Sequence, residues 1–501
     1  MFPPNQKKYF PNIFKKASTL VILFYLCFFV LFASGRLASL DAGQQLQASM
    51  LFLTTGSLGT TMPPGGFDSG WVLSPNGNYY QPHDIGNVIL MLPAAFIGLV
   101  TSKLSALAIV ENPPVISKVT ASLSYACVNA IGCFFVFKLF RLYYKTRTAF
   151  LLSLAFPLTT IFGAYTKTAW DVVACCCVNC SLLYYCAQII NGNKFNRNVV
   201  LAGLAFGLSC SFRFSLIPFL GISLAFILFL VRRSLNWQNY ISCLTAFLVV
   251  MIPSFIYNYV RMGSPLRPAT TAPQYLEGNN ALTGNIIEGF FGLLFSPNRG
   301  LFLYSPILLL LFILPFIWNK ILVKQRYLLI AFSISSFLYL LLISKLRNWG
   351  AFGWGPRYLL PILPFLFFGA CVTLIVIWKN HHKVIIGLVL ISVILSIPPI
   401  FVNWSMAITD FPGALETSAS LPNQQIAVWN GLILGIQGKP LPLPPNIVND
   451  SARITAAKFP DLWTVKLADT SSLGLLVGIT ISLILLASII FLFIRLSGVK
   501  C

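Results

Sequence analysis

Ile85-Gly86-Asn87-Val88-Ile89-Leu90-Met91-Leu92-Pro93-Ala94-Ala95-Phe96-Ile97-Gly98-Leu99-Val100-Thr101, continuing to about Val110, decides how this chain is laid out. It is apolar enough to cross a membrane, yet it begins behind His83-Asp84 and contains Lys103. If it crosses, the basic cluster Lys138, Arg141, Lys145 and Arg147 falls outside and every later link inverts. If it lies in the interface or dips in and returns, the inner links are 1–19, 138–148, 191–198, 232–239, 319–326, 379–383 and 495–501. Those links hold 19 of the 34 Lys and Arg and none of the 12 acidic residues. Cytoplasmic links collect Lys and Arg. The sequence therefore predicts a non-crossing juxtamembrane segment, both termini cytoplasmic, and a cysteine at Lys103 open to an impermeant thiol reagent from outside.

Around that segment the chain has 501 residues, 57% hydrophobic and 9% charged, with mean hydropathy +0.80. Apolar runs near ~20 residues cross ~30 Å of hydrocarbon as helix. Twelve spans are predicted, at about 20–34, 119–137, 149–164, 172–190, 199–212, 214–231, 240–257, 303–318, 327–343, 358–378, 384–402 and 473–494. The fold class is an all-α polytopic membrane protein: about 12 transmembrane helices plus the non-crossing segment. Residues 1–302 are read as a catalytic module, 303–402 as additional helices, 403–471 as an outer lid-like loop, and 472–501 as the last helix and inner tail. The net charge of +22 sits in short links, which argues against nucleic acid as partner.

The 12 cysteines fall almost wholly in apolar segments, so no disulfide framework is expected, and the run Cys175-Cys176-Cys177-Val178-Asn179-Cys180 reads as small buried hydrophobes rather than a metal site. Leu20 to Ala33, behind Lys7, Lys8, Lys15 and Lys16, reads as an uncleaved signal anchor although Ala33-Ser34-Gly35 resembles a cleavage site. Three outer loops are expected, at about 34–118, 258–302 and 403–471, the last with Pro440, Pro442, Pro444 and Pro445. Loops of that length surround or cap a site.

Candidate chemistry lies on this outer side. Asp41, just beyond the first span, is a general base towards a hydroxyl, or a cap on the helix Gln44 to Phe52. His83 and Asp84, in Tyr79-Tyr80-Gln81-Pro82-His83-Asp84, suit phosphate, a sugar or a divalent metal, the one cofactor the sequence leaves open; alternatively Asp84 caps the helix at Ile85. Lys167 and Asp171 flank an outer turn, as functional groups or as an anchor and a cap. Arg299 precedes one span, and Arg347, Trp349, Trp354, Arg357 and Tyr358 precede another. Arginine on the outer side is not explained by orientation. Guanidinium suits phosphate, and the aromatic faces suit a sugar ring or an interfacial belt.

An outward Asp after the first span, a non-crossing segment before the second, and a long outer loop after the seventh resemble the GT-C integral-membrane glycosyltransferases, closest to the dolichyl-phosphate-mannose protein mannosyltransferase-like and lipid A aminoarabinose transferase-like branch. Trp354-Gly355-Pro356-Arg357-Tyr358 resembles a stretch of bacterial members. The resemblance implies a bacterial inner-membrane enzyme moving a sugar from a polyprenyl-phosphate donor to a glycan, lipid or protein acceptor on the outer face. Asp41 would stand at the base position and Asp171 at the acid opening a later span. Two departures stand out: Asp41 is followed by Ala42 rather than a second acid, and Gln81 stands where many members carry Lys. The expected mechanism is one inverting displacement, with Asp41 taking the acceptor proton and Arg347 or Arg357 stabilising the departing phosphate. A lipid-linked polysaccharide ligase or polymerase and a secondary transporter are the other classes. Acids avoid the span centres, which speaks against the transporter.

Overall fold

The computed structural model describes residues 10–498 except 38, 65, 67–69, 103–109, 111, 269–281, 410, 417–419, 440, 442–458 and 469. Lys7, Lys8, Lys103 and the prolines at 440, 442, 444 and 445 lie outside the described residues. In chain order the main helices are α1 (Phe10–Phe32), α2 (Leu40–Thr55), α3 (Ile85–Thr101), α4 (Val115–Arg141), α5 (Thr146–Thr159), α6 (Asp171–Ile190) and α7 (Phe195–Phe212). They continue with α8 (Ile217–Leu230), α9 (Trp237–Met262), α10 (Ile286–Phe295), α11 (Val323–Ser344), α12 (Leu363–Ser396), α13 (Asn423–Ile436) and α14 (Ser472–Ser497). A two-residue antiparallel ladder, Val72–Leu73 with Tyr79–Tyr80, lies between α2 and α3. The all-α polytopic class read from the sequence is what the chain forms.

Among the described residues, Val115–Arg141, Asp171–Ile190, Trp237–Met262, Val323–Ser344, Arg357–Phe401 and Ser472–Ser497 are long and apolar enough to cross a membrane. Shorter apolar helices cover Ala17–Phe32, Ile85–Thr101, Phe214–Leu230, Ile286–Phe295 and Pro306–Lys320. The expected spans 149–164 and 199–212 coincide with α5 and α7, of 14 and 18 residues. The Arg357–Phe401 stretch, 45 residues, would reach ~67 Å if straight. It does not run straight. Helical geometry breaks at His381 (φ −130°, ψ 25°), between Lys379 and Lys383. Both ends return to one place: Arg357 lies 4.5 Å over the Trp170 ring and Trp404 lies 5.9 Å from the same ring. Two spans joined by a basic turn, as the sequence predicts, fit this better than one.

The stretch from α1 to α4 makes no net traverse of the bundle. Gly35 N at the end of α1 donates to Ser122 Oγ near the start of α4 at 3.0 Å, so the chain leaves and re-enters at the same end. Between them α3 packs on α2 through Ser49 Oγ, which donates to Val88 O at 2.8 Å. It packs on α4 where a Cβ on Gly98 would meet Ser117 Cβ at 2.7 Å. Side chains from Val21 to Leu496 form one main buried core, and the expected division at 302/303 falls inside it: Asn179 Nδ2 in α6 donates to Pro361 O at 2.8 Å.

Three local expectations are corrected. The span at 303–318 is a 3₁₀ helix, Pro306–Lys320, with Pro315 inside it. Its rise of ~2.0 Å per residue lets 15 residues cover ~30 Å. The middle loop contains α10, whose apolar run was short enough to pass as loop. The late loop carries Trp404–Thr409, α13 and Trp463–Ala468. The cysteines at 133, 175, 176, 177, 180, 186, 210, 243 and 371 are buried and free.

Candidate active site

The end of the bundle where α1 stops and α4, α6 and α8 start gathers the charged side chains. Asp41 enters it from α2. The cap of that helix is Ser39, whose side chain accepts from Ala42 N at 3.1 Å. Asp41 is therefore not the cap, and its carboxylate faces outward from the first turn. Oδ2 lies 3.4 Å from Arg357 Nη1 and Oδ1 lies 3.7 Å from His83 Nε2. Its side chain is 26% exposed and that of Arg357 13%, so neither is fully sealed in the core. Burial raises the Asp41 carboxyl, but His83, Arg357 and Arg213 together hold it below its ordinary value.

Arg357 is held from two sides by aromatic rings, 4.5 Å over Trp170 and 5.2 Å from Tyr358. A desolvated guanidinium over Trp gains on the order of 2 kcal/mol. Arg213 also approaches Tyr358, 5.5 Å from the ring, with its Nε 3.1 Å from Asp171 Oδ2. Asp171 also accepts from Val172 N at 2.9 Å. The sequence reading missed Arg213. Its signal was available: it is the single residue between two adjacent spans on the outer side, where the positive-inside rule disfavours arginine. Asp41, His83, Asp171, Arg357 and Tyr358 are thus brought together, with Arg213 added.

Other expected site residues have different work. Trp354 is 1% exposed; its carbonyl accepts from Tyr165 Oη at 2.9 Å and its ring meets Tyr304 edge-on at 4.9 Å. Its face is packed in the core and not open to a sugar, as is Trp349, buried against Gly292. Arg299 is also 1% exposed and donates to Gly350 O and Leu415 O, both at 2.6 Å. Burial pushes its guanidinium down to about 10. It ties two loops together. Arg347 is exposed and meets none of the site's side chains among the described residues.

The divalent-metal expectation at His83 and Asp84 meets a geometric obstacle, because the two side chains diverge. His83 turns to Asp41, while Asp84 accepts from Phe214 N at 2.9 Å and stands 3.6 Å from Arg261. Asp84 occupies the cap position of α3 yet makes no side-chain cap bond. Burial raises its carboxyl more than Arg261 lowers it. Among the described residues no group of three or more His, Cys, Asp or Glu is placed to hold a metal ion.

Lys167 belongs to a second cluster. Its Nζ lies 3.0 Å from Asp461 Oδ2 and donates to Ile400 O at 2.8 Å. Asp461, fully buried, also pairs with Arg36 at 3.0 Å and Lys466 at 2.6 Å. Burial raises the Asp461 carboxyl, but Arg36, Lys167 and Lys466 hold it well below the carboxylate range. Burial pushes Lys167 down to about 8. This hub fastens the end of α1 and the 160–171 turn to the late segment. Gly35, at φ +67°, passes so close there that a Cβ would sit 2.7 Å from Trp463 Cβ.

The Trp354–Arg357 loop is positioned by Gln424 of α13. Its Oε1 accepts from Gly355 N at 2.9 Å and its Nε2 donates to Gly353 O at 2.9 Å. Asn298 Nδ2 in turn donates to Ala414 O at 3.2 Å and Glu416 O at 2.6 Å. Residues 414–416 and Gln424 are thereby fastened over the end of the bundle that holds Asp41, beside the loop that carries Arg357.

No family model matches the chain, and no curated protein matches it. Two solved structures do, both of ArnT from Cupriavidus metallidurans. The one bound to undecaprenyl phosphate is 14% identical, with a TM-score of 0.52 over 96% of this chain and 78% of that one. The apo structure is 15% identical, with a TM-score of 0.48 over 97% of this chain and 76% of that one. The resemblance read from the sequence therefore holds at the level of the fold: along nearly its whole length, this chain is similar in architecture to ArnT, a lipid A aminoarabinose transferase of the GT-C type.

Proposed function

We propose that the protein is a membrane glycosyltransferase that moves a sugar from a polyprenyl-phosphate-linked donor to an acceptor hydroxyl at the outer face of a bacterial inner membrane. The observation that carries this is the partly exposed pair of Asp41 and Arg357, 3.4 Å apart, with Arg213 and Arg357 both beside the Tyr358 ring. A carboxylate beside guanidinium groups is what an inverting displacement from a phosphate leaving group requires. The acceptor oxygen attacks the anomeric carbon, Asp41 takes its proton, and Arg357 with Arg213 stabilises the charge growing on the departing lipid phosphate. Undecaprenyl phosphate bound to the similarly folded ArnT supports a polyprenyl phosphate as the lipid partner. The chain's apolar helices offer its tail a place among membrane lipids. The acceptor is a glycan, lipid or protein hydroxyl.

The test is mass spectrometry of envelope glycans and polyprenyl-phosphate sugars in a deletion strain complemented with wild type or Asp41→Asn at equal protein level. Loss of one sugar from a glycan, accumulation of its lipid donor, and restoration by wild type alone are expected. An unchanged glycan profile on deletion would refute the reading.

A further inference from the structure

The segment that presents His83 to Asp41 is built from buried polar groups. Gln81 is fully buried. Its Oε1 accepts from His83 N at 2.7 Å, while its Nε2 donates to His83 O at 2.8 Å and to Tyr257 Oη at 3.1 Å. Arg261, 1% exposed, donates to Gln81 O at 3.1 Å and His83 O at 2.7 Å and lies 4.2 Å from the Tyr257 ring centre. Both backbone polar groups of His83 are thus fixed, and its imidazole projects towards Asp41. The Gln that replaces the lysine common in the resembled family is accounted for here: it serves as a bracket for the next histidine.

We propose that His83 is the group that empties Asp41 of its proton in each turnover, a step that rests on the sugar-transfer reading above. The acceptor O–H proton passes to Asp41 as the oxygen bonds to the anomeric carbon. The carbon–oxygen bond to the lipid phosphate breaks, and its electron pair goes to the phosphate oxygen. A neutral Asp41 is disfavoured beside Arg357 and Arg213, so the proton moves on to His83 Nε2 and restores the carboxylate. The imidazolium then faces Asp41 and offsets the second negative charge that the phosphate gains on passing from diester to monoester. The 3.7 Å separation closes to a hydrogen bond on a shift of under ~1 Å or through one water. Charged groups around the step are Asp41, Arg357, Arg213 and Asp171, with Asp84 and Arg261 behind His83.

The experiment uses the full chain in lipid nanodiscs, a panel of undecaprenyl-phosphate-linked pentoses and hexoses, and membrane vesicles from the deletion strain as acceptor source. For the donor that wild type turns over, His83→Ala should lower kcat about 10- to 100-fold with KM nearly unchanged, and free imidazole should restore much of the loss. His83→Gln keeps bulk but takes no proton, and should be as slow as the alanine variant. Gln81→Leu should be slow and not rescued by imidazole, since the imidazole is still present but misplaced. Full kcat in His83→Gln, a loss that imidazole leaves untouched, or a rise in KM alone would overturn the relay while leaving sugar transfer standing. If wild type turns over no donor in the panel, the transfer reading and the relay fall together.

Discussion

Arg357 Nη1 stands 3.4 Å from Asp41 Oδ2 across 316 residues of chain. The two side chains come from distant parts of the sequence, one on the first turn of α2 and one at the start of the apolar Arg357–Phe401 stretch. Each supports the other: Arg357 helps hold the Asp41 carboxyl below its ordinary value, and Asp41 keeps the guanidinium in place. Donor binding would draw charge from Asp41 and make it a better base as the acceptor arrives.

Replacing Arg357 with Ala should cut turnover by about 10²- to 10³-fold, the size seen when one donor to a developing anion is removed. Arg213→Ala should give a smaller loss, because its guanidinium pairs with Asp171 while Arg357 is the arginine paired with the base. Arg347→Ala, at an exposed position, should leave turnover within about twofold. Steady-state kinetics on the three variants checks this ordering, and equal losses in all three would contradict the assignment.

Asp461→Asn leaves three cations facing a neutral amide in a buried site. Breaking a buried pair by removing one partner costs about 3–5 kcal/mol, so the thermal midpoint in detergent should fall sharply. Adding Lys167→Met should recover part of the loss, because one unpaired charge then disappears. A double-mutant cycle with no coupling would show that the hub is not shared.

Lys167 gives stability a dependence on alkaline pH. Its proton leaves at about 8 in the folded chain and at about 10.4 when unfolded. Between those values the unfolded chain binds more protons, so the Lys167 contribution to stability rises with pH. Asp461 acts at the other end: its folded value is depressed, so its contribution is present above the unfolded value of about 3.9 and is lost as pH falls through the folded one. Unfolding midpoints of wild type against Lys167→Met from pH 7 to 10.5 should diverge in favour of wild type as pH rises.

Gln424→Ala removes the partner of both Gly355 N and Gly353 O. Leaving buried polar groups unsatisfied costs about 1–3 kcal/mol each, and the loop that carries Arg357 should loosen. A lower midpoint together with lower kcat is expected. Gly355→Ala should act in the same direction, since φ is +59° and a Cβ would stand 2.9 Å from the Tyr304 ring. Full activity in both would separate the loop from the site.

Topology is tested on described, exposed residues. A cysteine at Met62, 66% exposed, should react with an impermeant thiol reagent added to intact cells. One at Arg233, exposed at the other end of the bundle, should react only after permeabilisation. The reverse pattern would invert the membrane assignment.

Hydropathy and the placement of Lys and Arg are properties of short windows, so the sequence alone determined the all-helical polytopic class and the return of the chain after α1 to the end of the bundle it left. The same local logic singled out Asp41 and Arg357, because a carboxylate or an arginine at a span end is conspicuous one residue at a time, and the fold sets the two side by side. It failed where a side chain's meaning depends on distant partners. Arg299 and Trp354 look like ligand groups in sequence, but carbonyls and rings far along the chain hold them in the core. Lys167 is conspicuous only until Asp461 is placed beside it. That Asp41 is not the cap of its helix was decided by Ser39 taking that place. Composition and periodicity specify which residues must be buried, whereas pairing energies fall off over a few ångströms. Which charge meets which is therefore decided by the tertiary structure.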